Sequence, residues 1–469
     1  MHILSAAFEI ELNMAIIRSI SGLRVTQDAL TRELISSYAR AFSHYIPSGP
    51  IVIGRDGRPS GKWMEDVIIE TLISEGRDVV SLGIAPTPTV QLETEHSSAK
   101  GGIAITASHN PSEWNGMKFL NESGVFLNAK ENAEFWKELD SEDQSIIQSK
   151  GTLTVIEQPI QKHIASIHKA LLSLCIDIPS SSKELIAVVD AVNASGSAFV
   201  PELLESLDCT CIPLYCDGTG VFPHLPEPLT ENLGALMSAV QQHKADIGIA
   251  VDPDADRLVL IDEHGNAIGE EKTIALCVKS LITCAIVPHH AQSIALNMST
   301  SSMSEYIAEE YGWSVYRTPV GEINVVESMK IHQCIIGGEG SGGVIVPATH
   351  FGRDSLVGLA LIIALMKNTS KSLSELAASL PDLCMVKGKM SWSGSADKLF
   401  EEIERHFIQS LREKRIDDGI WLKLDAGWIH VRLSNTEPIL RYIVECRSEN
   451  ETQTIVESLI AIISTHAAS

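Results

Sequence analysis

Four short loops in this 469-residue chain carry residues that could do chemistry. The first, Thr106-Ala-Ser-His-Asn-Pro111, presents the hydroxyl of Ser108 directly after Gly102-Ile-Ala-Ile-Thr106, an apolar run that reads as a buried strand. The carboxyl end of such a strand is where open α/β folds bind ligands. The loop lacks the Gly-x-Ser-x-Gly elbow of α/β-hydrolases, and an extended backbone would turn His109 away from Ser108. Taken alone, Ser108 also fits a helix cap or a turn. The second loop is Asp252-Pro-Asp-Ala-Asp-Arg257. Period two puts its three carboxylates on one side of an extended segment. Carboxylates so close repel unless a cation neutralises them, and oxygen ligands suit a hard ion such as Mg²⁺. Arg257 could hold a phosphate as a bidentate fork. The plain alternative is a solvated acidic turn. An EF-hand fits poorly, because Arg257 stands where its calcium loop needs glycine.

The third loop, Gly337-Gly-Glu-Gly-Ser-Gly-Gly343, has five glycines in seven residues and leads into a strand at 344–346. Glycines permit close backbone approach to a ligand. Glu339 and Ser341, its only side chains, suit recognition of sugar hydroxyls. Without Gly-Lys-Ser/Thr it is not a P-loop, and a flexible turn is the alternative. The fourth loop, Arg432-Leu-Ser-Asn-Thr-Glu-Pro438 with Arg441 downstream, gathers a guanidinium (Arg432), two hydroxyls (Ser434, Thr436) and an amide (Asn435). That set makes a compact anion cradle, or else a surface turn with an ion pair.

Such loops need a scaffold. Short β-rich runs alternate with longer helical patterns, as in parallel α/β structure. Strands are predicted at 51–54 and 78–82 with a helix over 63–75 between them. Further strands are predicted at 185–190, 246–251, 258–261, 293–297 and 334–337, and Gly269-Glu-Glu-Lys-Thr opens a third unit. The apolar run 356–366 falls short of the about 20 residues that span a bilayer and reads as a buried helix. After Leu380-Pro381 the texture changes. Strands at 421–424, 428–433 and 441–445 alternate with amphipathic helices over 396–412 and 452–465. The expected organisation is α/β domains over 1–155, 156–265 and 266–380, followed by a smaller α+β domain over 381–469. No close internal sequence repeat is visible.

Composition bounds the partners. Acids outnumber bases 60 to 36, a net charge of −24. Such a surface repels nucleic acid and anionic membranes, so phosphate chemistry must sit in a local basic pocket. With 44% hydrophobic and 20% charged residues, the chain has the composition of a globular protein. Its nine cysteines are irregularly spaced, which predicts reduced thiols in the cytoplasm and neither disulfides nor a zinc site. The apolar stretch at 3–8 is too short for an export signal and is broken by Glu9 and Glu11. Met14 opens a more regular segment, so residues 1–13 read as an extension or a misassigned start.

In their order along the chain the four loops resemble the α-D-phosphohexomutases, the family of phosphoglucomutase, phosphomannomutase and phosphoglucosamine mutase. Secondary marks agree: Ser21-Gly-Leu-Arg24, Gly54-Arg-Asp-Gly-Arg58, Asn115-Gly-Met-Lys118, Pro223-His-Leu-Pro-Glu-Pro228, Thr318-Pro-Val-Gly-Glu322 and Gly352-Arg-Asp354. The resemblance implies three related α/β domains and a small α+β domain around a central cleft, each giving one loop. It implies Ser108 as the phosphoserine and Mg²⁺ held by Asp252, Asp254, Asp256 and the serine phosphate. Arg24, His109 and Lys118 would line the reacting end, with Lys118 in acid–base work, and Arg257 would neutralise the transferring group. Glu339 and Ser341 would meet sugar hydroxyls, while Arg432, Ser434, Asn435 and Thr436 grip the other phosphate. The implied substrates are hexose phosphates, glucosamine 6-phosphate first, with a hexose 1,6-bisphosphate as intermediate and activator and a monomer or homodimer as the working form.

The sequence departs from the family at three points. Gly343 stands where some members carry a histidine assigned to proton transfer. Thr318-Pro-Val-Gly-Glu-Ile323 replaces a Lys-Thr-Gly-His type loop, and Val25 replaces a glycine. Two other readings stay open from the residues. An aspartyl-phosphate phosphatase would use Asp252 as nucleophile, although Asp256 is not the Thr or Val usual there. A non-catalytic sugar-phosphate binder would need only the glycine-rich loop and the anion cradle.

Overall fold

Apolar runs with no polar interruption suit strands buried on both faces, and three sets of them form the centres of three sheets. The computed structural model describes residues 16–19, 22–140, 149–179, 184–393, 395–434 and 439–467. The first sheet orders Ile16–Ser19, Gly22–Thr26, Trp114–Asn121, Gly101–Ile105, Ile51–Arg55, Val79–Ile84 and Leu153–Val155. The second orders Leu258–Ile261, Ile247–Val251, Leu185–Asp190 and Cys209–Tyr215. The third orders Ser314–Thr318, Ser293–Asn297, Ile336–Glu339 and Gly343–Ile345. The C-terminal sheet, Cys384–Ser391, Ile439–Cys446, Gly427–Leu433, Ile420–Leu424 and Leu411–Arg415, is antiparallel throughout.

The first three sheets share one plan. Each sets an antiparallel strand beside a parallel one: Trp114–Asn121 beside Gly101–Ile105, Leu258–Ile261 beside Ile247–Val251, and Gly343–Ile345 beside Ile336–Glu339. The connection inside each pair is a chemistry-bearing loop. The first two pairs also close in the same turn. The side chains of Asn121 and Asp262 each accept the backbone N–H two residues on at 3.0 Å, and Gly124 and Gly265 follow with φ of 67° and 81°. This repeat lies in geometry, because a turn needs an Asx side chain and a glycine, not a fixed sequence.

The apolar run at 356–366 lies within the helix Ser355–Thr369, buried at every position from Ser355 to Lys367. It packs on the helices Glu271–Cys284, Pro159–Ser173 and Gly196–Ser206, so it needs no polar face. No described helix is long and apolar enough to cross a membrane.

Some boundaries differ from expectation. The helix expected over 396–412 is Asp397–Phe407, and Leu411–Arg415 is an edge strand paired with Ile420–Leu424. The charges of Leu-Arg-Glu-Lys-Arg suit a helix surface equally well, and it is the pairing partner that decides. The strand expected at 334–337 is Ile336–Glu339, because register with Ser293–Asn297 draws the first glycines of the third loop into the sheet. The strand expected at 344–346 is Gly343–Ile345, in register with those glycines. The helix over 63–75 is Gly61–Ser74. Residues 1–13 lie outside the described residues.

Candidate active site

Ser108 has a φ of 50°, a left-handed conformation that a non-glycine residue holds only when its surroundings impose it. Arg58, fully buried, imposes it. Its guanidinium donates to the carbonyls of Ser108 (2.5 Å), Asn110 (2.7 Å), Pro111 (2.7 Å) and Trp114 (2.9 Å). Asp56 accepts from Arg58 Nε at 2.9 Å and from Thr106 Oγ1 at 2.7 Å. Thr106 Oγ1 in turn accepts the Ser108 N–H at 2.8 Å. The loop is therefore not extended, and His109 does not turn away: its Nδ1 lies 3.4 Å from Ser108 Oγ. Burial, then Arg257 and Arg24, hold the His109 pKa well below the usual histidine range, so the ring is neutral at pH 7.

The aspartate loop is a tight turn rather than an extended segment. The Ala255 N–H donates to the Asp252 carbonyl at 2.9 Å, and Ala255 has a φ of 51°. Three parts of the molecule clamp it. The Thr87 N–H donates to the Asp254 carbonyl at 2.9 Å, Ser195 Oγ to Pro253 at 2.7 Å, and Ser355 Oγ to Ala255 at 2.7 Å. The turn still brings one carboxylate oxygen each of Asp252, Asp254 and Asp256 within 4.8 Å of the others, all buried.

Their charges are only partly answered. Asp252 Oδ2 accepts from Ser108 Oγ at 3.0 Å. Asp254 Oδ2 takes Thr87 Oγ1 at 2.7 Å and Lys118 Nζ at 2.6 Å, and Asp256 Oδ2 takes Arg353 Nη2 at 2.6 Å. Asp254 Oδ1 and Asp256 Oδ1 are buried with no hydrogen-bond partner. A buried oxygen left so costs free energy. Burial, then Asp256 and Asp254, push the Asp252 pKa well above the carboxylate range. Convergent hard oxygens with spare lone pairs fit a divalent cation such as Mg²⁺. Burial alone would lower the Lys118 pKa, but Asp254 and Asp256 raise it. Lys118 is thus an ammonium.

Arg353 joins this pole to the glycine-rich loop. It donates to Glu339 Oε2 at 2.6 Å and to Glu322 Oε2 at 3.0 Å as well as to Asp256. A Cβ on Gly343 would come within 2.3 Å of Arg353 Cδ. The arginine stem fills the space that a histidine at 343 would take, which accounts for the glycine.

A cleft of about 470 Å³ opens beside these groups. The first region contributes Arg24 and His109, the second Arg257, the third Glu339, Ser341 and Arg353, and the C-terminal region Arg432 and Arg441. Six cations (Arg24, Arg257, Arg353, Lys387, Arg432, Arg441) outnumber four glutamates (Glu227, Glu270, Glu271, Glu339) on its wall. This is the local basic pocket that a chain of net charge −24 needs for phosphate.

The four regions match, in order, the family models of phosphoglucomutase/phosphomannomutase: α/β/α domain I at residues 17–145, domain II at 161–265, domain III at 270–384, and the C-terminal domain at 385–462. A phosphoglucomutase/phosphomannomutase of Thermococcus kodakarensis is 35% identical over 88% of this chain and 89% of its own. A probable phosphoglucosamine mutase of Methanopyrus kandleri is 31% identical over 94% of this chain and 96% of its own. The chain belongs to the phosphoglucomutase/phosphomannomutase family. It is a phosphohexomutase, an isomerase that works as an intramolecular phosphotransferase. A crystal structure of a phosphoglucomutase/phosphomannomutase family protein from Burkholderia thailandensis has the same fold, with a TM-score of 0.83 at 22% identity over 97% of both chains.

In this phosphohexomutase Arg24, Ser108, His109, Lys118, Arg257, Glu339, Ser341 and Arg432 line one connected pair of cavities. Ser108 and Lys118 line a second cavity of about 210 Å³ that shares Arg24, Arg257, Glu339 and Arg353 with the main cleft. Arg24 reaches Asn110 Oδ1 at 2.6 Å, and Arg257 Nη1 lies 3.4 Å from Glu227. Ser434 closes the strand pair with its N–H on the Ile439 carbonyl at 2.9 Å. Asn435 and Thr436 lie outside the described residues. Arg58, Glu322 and Arg353 stand inside sequence motifs that assign them no task. Thr87 is a helix-terminal threonine with no motif around it.

Proposed function

We propose that this phosphohexomutase interconverts hexose 6-phosphate and hexose 1-phosphate through a phosphoserine at Ser108 and a hexose 1,6-bisphosphate, with glucosamine 6-phosphate as its first substrate. The carrying observation is that Ser108 Oγ sits 3.0 Å from Asp252, beside Asp254 Oδ1 and Asp256 Oδ1, which accept no hydrogen bond among the described residues. Asp252, Asp254, Asp256 and the serine phosphate would hold Mg²⁺, which supplies charge neutralisation to the transferring phosphoryl group. The chain's own residues do the rest. Lys118, an ammonium, gives a proton to an oxygen that loses its phosphoryl group. His109, neutral and 3.4 Å from Ser108 Oγ, can take one. Arg24 and Arg257 offset charge near the transfer, and Glu339 and Ser341 orient the sugar. Arg432, Ser434, Asn435 and Thr436 hold the phosphate that is not reacting. Because the bisphosphate must turn round, that grip meets either end of the sugar, and general anion donors suit it. A trace of bisphosphate activates by loading Ser108. Nine free cysteines accord with a reducing, cytoplasmic setting.

The amino-sugar choice is supported by relatives such as the probable phosphoglucosamine mutase of Methanopyrus kandleri. Phosphorus NMR of glucosamine 6-phosphate with protein, Mg²⁺ and a trace of bisphosphate tests it. A growing 1-phosphate signal is expected. Turnover only of glucose or mannose 6-phosphate would move the substrate within the family. Release of inorganic phosphate alone would overturn the mutase reading in favour of an Asp252 phosphatase.

A further inference from the structure

Asp418 lies outside every motif noted in the sequence, in the turn between Leu411–Arg415 and Ile420–Leu424. Its Oδ1 accepts Arg432 Nε at 2.9 Å, and its Oδ2 accepts the Val320 N–H at 2.8 Å. One carboxylate thus bridges the C-terminal anion cradle and the loop 318–322 of the third domain. That loop ends in Glu322, which accepts Arg353 Nε at 3.0 Å, and Arg353 reaches Asp256 at 2.6 Å. A second strand of contacts leaves the Asp418 carbonyl. It accepts His430 Nε2 at 2.7 Å, and His430 Nδ1 lies 3.0 Å from Ser299 Oγ. Two residues earlier, Asn297 donates to Glu339 at 2.8 Å. The turn is pressed flat on the strand that carries Arg432. Gly419 has a φ of 74°, and a Cβ there would come within 2.2 Å of the Val431 carbonyl and 2.8 Å of Arg432 Cα.

We propose that Asp418 is a positioning residue that fixes the distance between the grip on the non-reacting phosphate and the reacting end. The proposal rests on the bisphosphate reading above. A bisphosphate that turns round must find both phosphate sites at one spacing, and a Å-scale error there is costly in rate. Charge-assisted hydrogen bonds on both oxygens make Asp418 a stiff spacer. It touches no substrate in this account and acts through Arg432, Val320 and His430.

The test is Asp418→Asn, which keeps size but sets an amide N–H against one of the two donors. The readouts are kcat, KM, bisphosphate released per turnover and melting temperature. Losing one charge-assisted bond predicts a KM raised about tenfold and bisphosphate escape raised by about the same factor, with Asp418→Glu recovering part of both. The control is Glu445→Ala. Glu445 ties the same two domains, its Oε2 accepting from Ser302 N at 2.8 Å and Trp428 Nε1 at 2.7 Å, without lining the cleft. It should lower the melting temperature and leave KM and escape within about twofold of wild type. Equal KM and escape in Asp418→Asn and wild type would overturn the proposal, as would the same changes in Glu445→Ala. Failure of the wild type to turn over would instead strike at the function itself.

Discussion

Two buried clusters in this molecule look alike by distance. Asp252, Asp254 and Asp256 bring three ligand atoms within 4.8 Å, and so do His163, His350 and Asp354. Their chemistry differs. In the second cluster Asp354 Oδ2 accepts from His163 at 2.9 Å and His350 at 3.3 Å, while Oδ1 caps a helix through the N–H groups of Leu356 and Val357. Thr89 Oγ1 meets His163 Nδ1 at 2.8 Å. Both carboxylate oxygens are spoken for, with only His350 Nδ1 left without a hydrogen-bond partner. Burial pushes the Asp354 pKa up, but His163 and His350 pull it below the ordinary carboxylate range. In the first cluster two carboxylate oxygens accept no hydrogen bond among the described residues. Against burial, Lys118 and Thr87 hold Asp254 low, but Asp252 is pushed the other way. Spare donor capacity beside a nucleophile, not proximity, marks the ion site. The second cluster is a keystone between helices.

The contrast breaks first at Ser108. Ser108→Ala should cost at least about 10⁴-fold in turnover, as loss of a nucleophile does, with an unchanged melting temperature, and a steady-state assay checks both. Second, a chelator should abolish activity and Mg²⁺ restore it, while isothermal titration should find one divalent site. Asp254→Asn should lose that site and His163→Ala should keep it. Third, His163→Ala should destabilise by about 3 kcal/mol, the usual scale for opening a buried charged network, read by denaturant midpoint. Two high-affinity ions in the wild type would erase the distinction. Fourth, the second cluster should weaken on acidification. The folded pKa of Asp354 is depressed, so its stabilisation is present above the unfolded carboxylate pKa of about 3.9 and is lost as pH falls through the lower folded value. Asp354→Asn should therefore flatten stability against pH below about pH 4.

Much of this was legible in the sequence, for a physical reason. The loops that face ligand are made of side chains whose chemistry is visible as letters: a serine, three aspartates, glycines around a glutamate, an arginine with hydroxyls. Their scaffold is visible because buried strands are uninterrupted apolar runs. The supporting groups are harder to see. Arg58 and Arg353 act through guanidiniums that reach segments about 50 and 97 residues away, and no local pattern records such pairings. The turns at Ser108 and Ala255 escaped because positive φ was imposed by neighbours rather than by glycine. The edge strand Leu411–Arg415 escaped because its pairing decides it. Asp418 had no motif at all, since its importance lies only in what it touches.

The most direct test of the central claim is anomalous diffraction from a crystal soaked in Mn²⁺, which takes the place of Mg²⁺ among carboxylates. A single peak is expected between Asp252, Asp254 and Asp256, facing Ser108. A peak among His163, His350 and Asp354, or none at the aspartates, would contradict it.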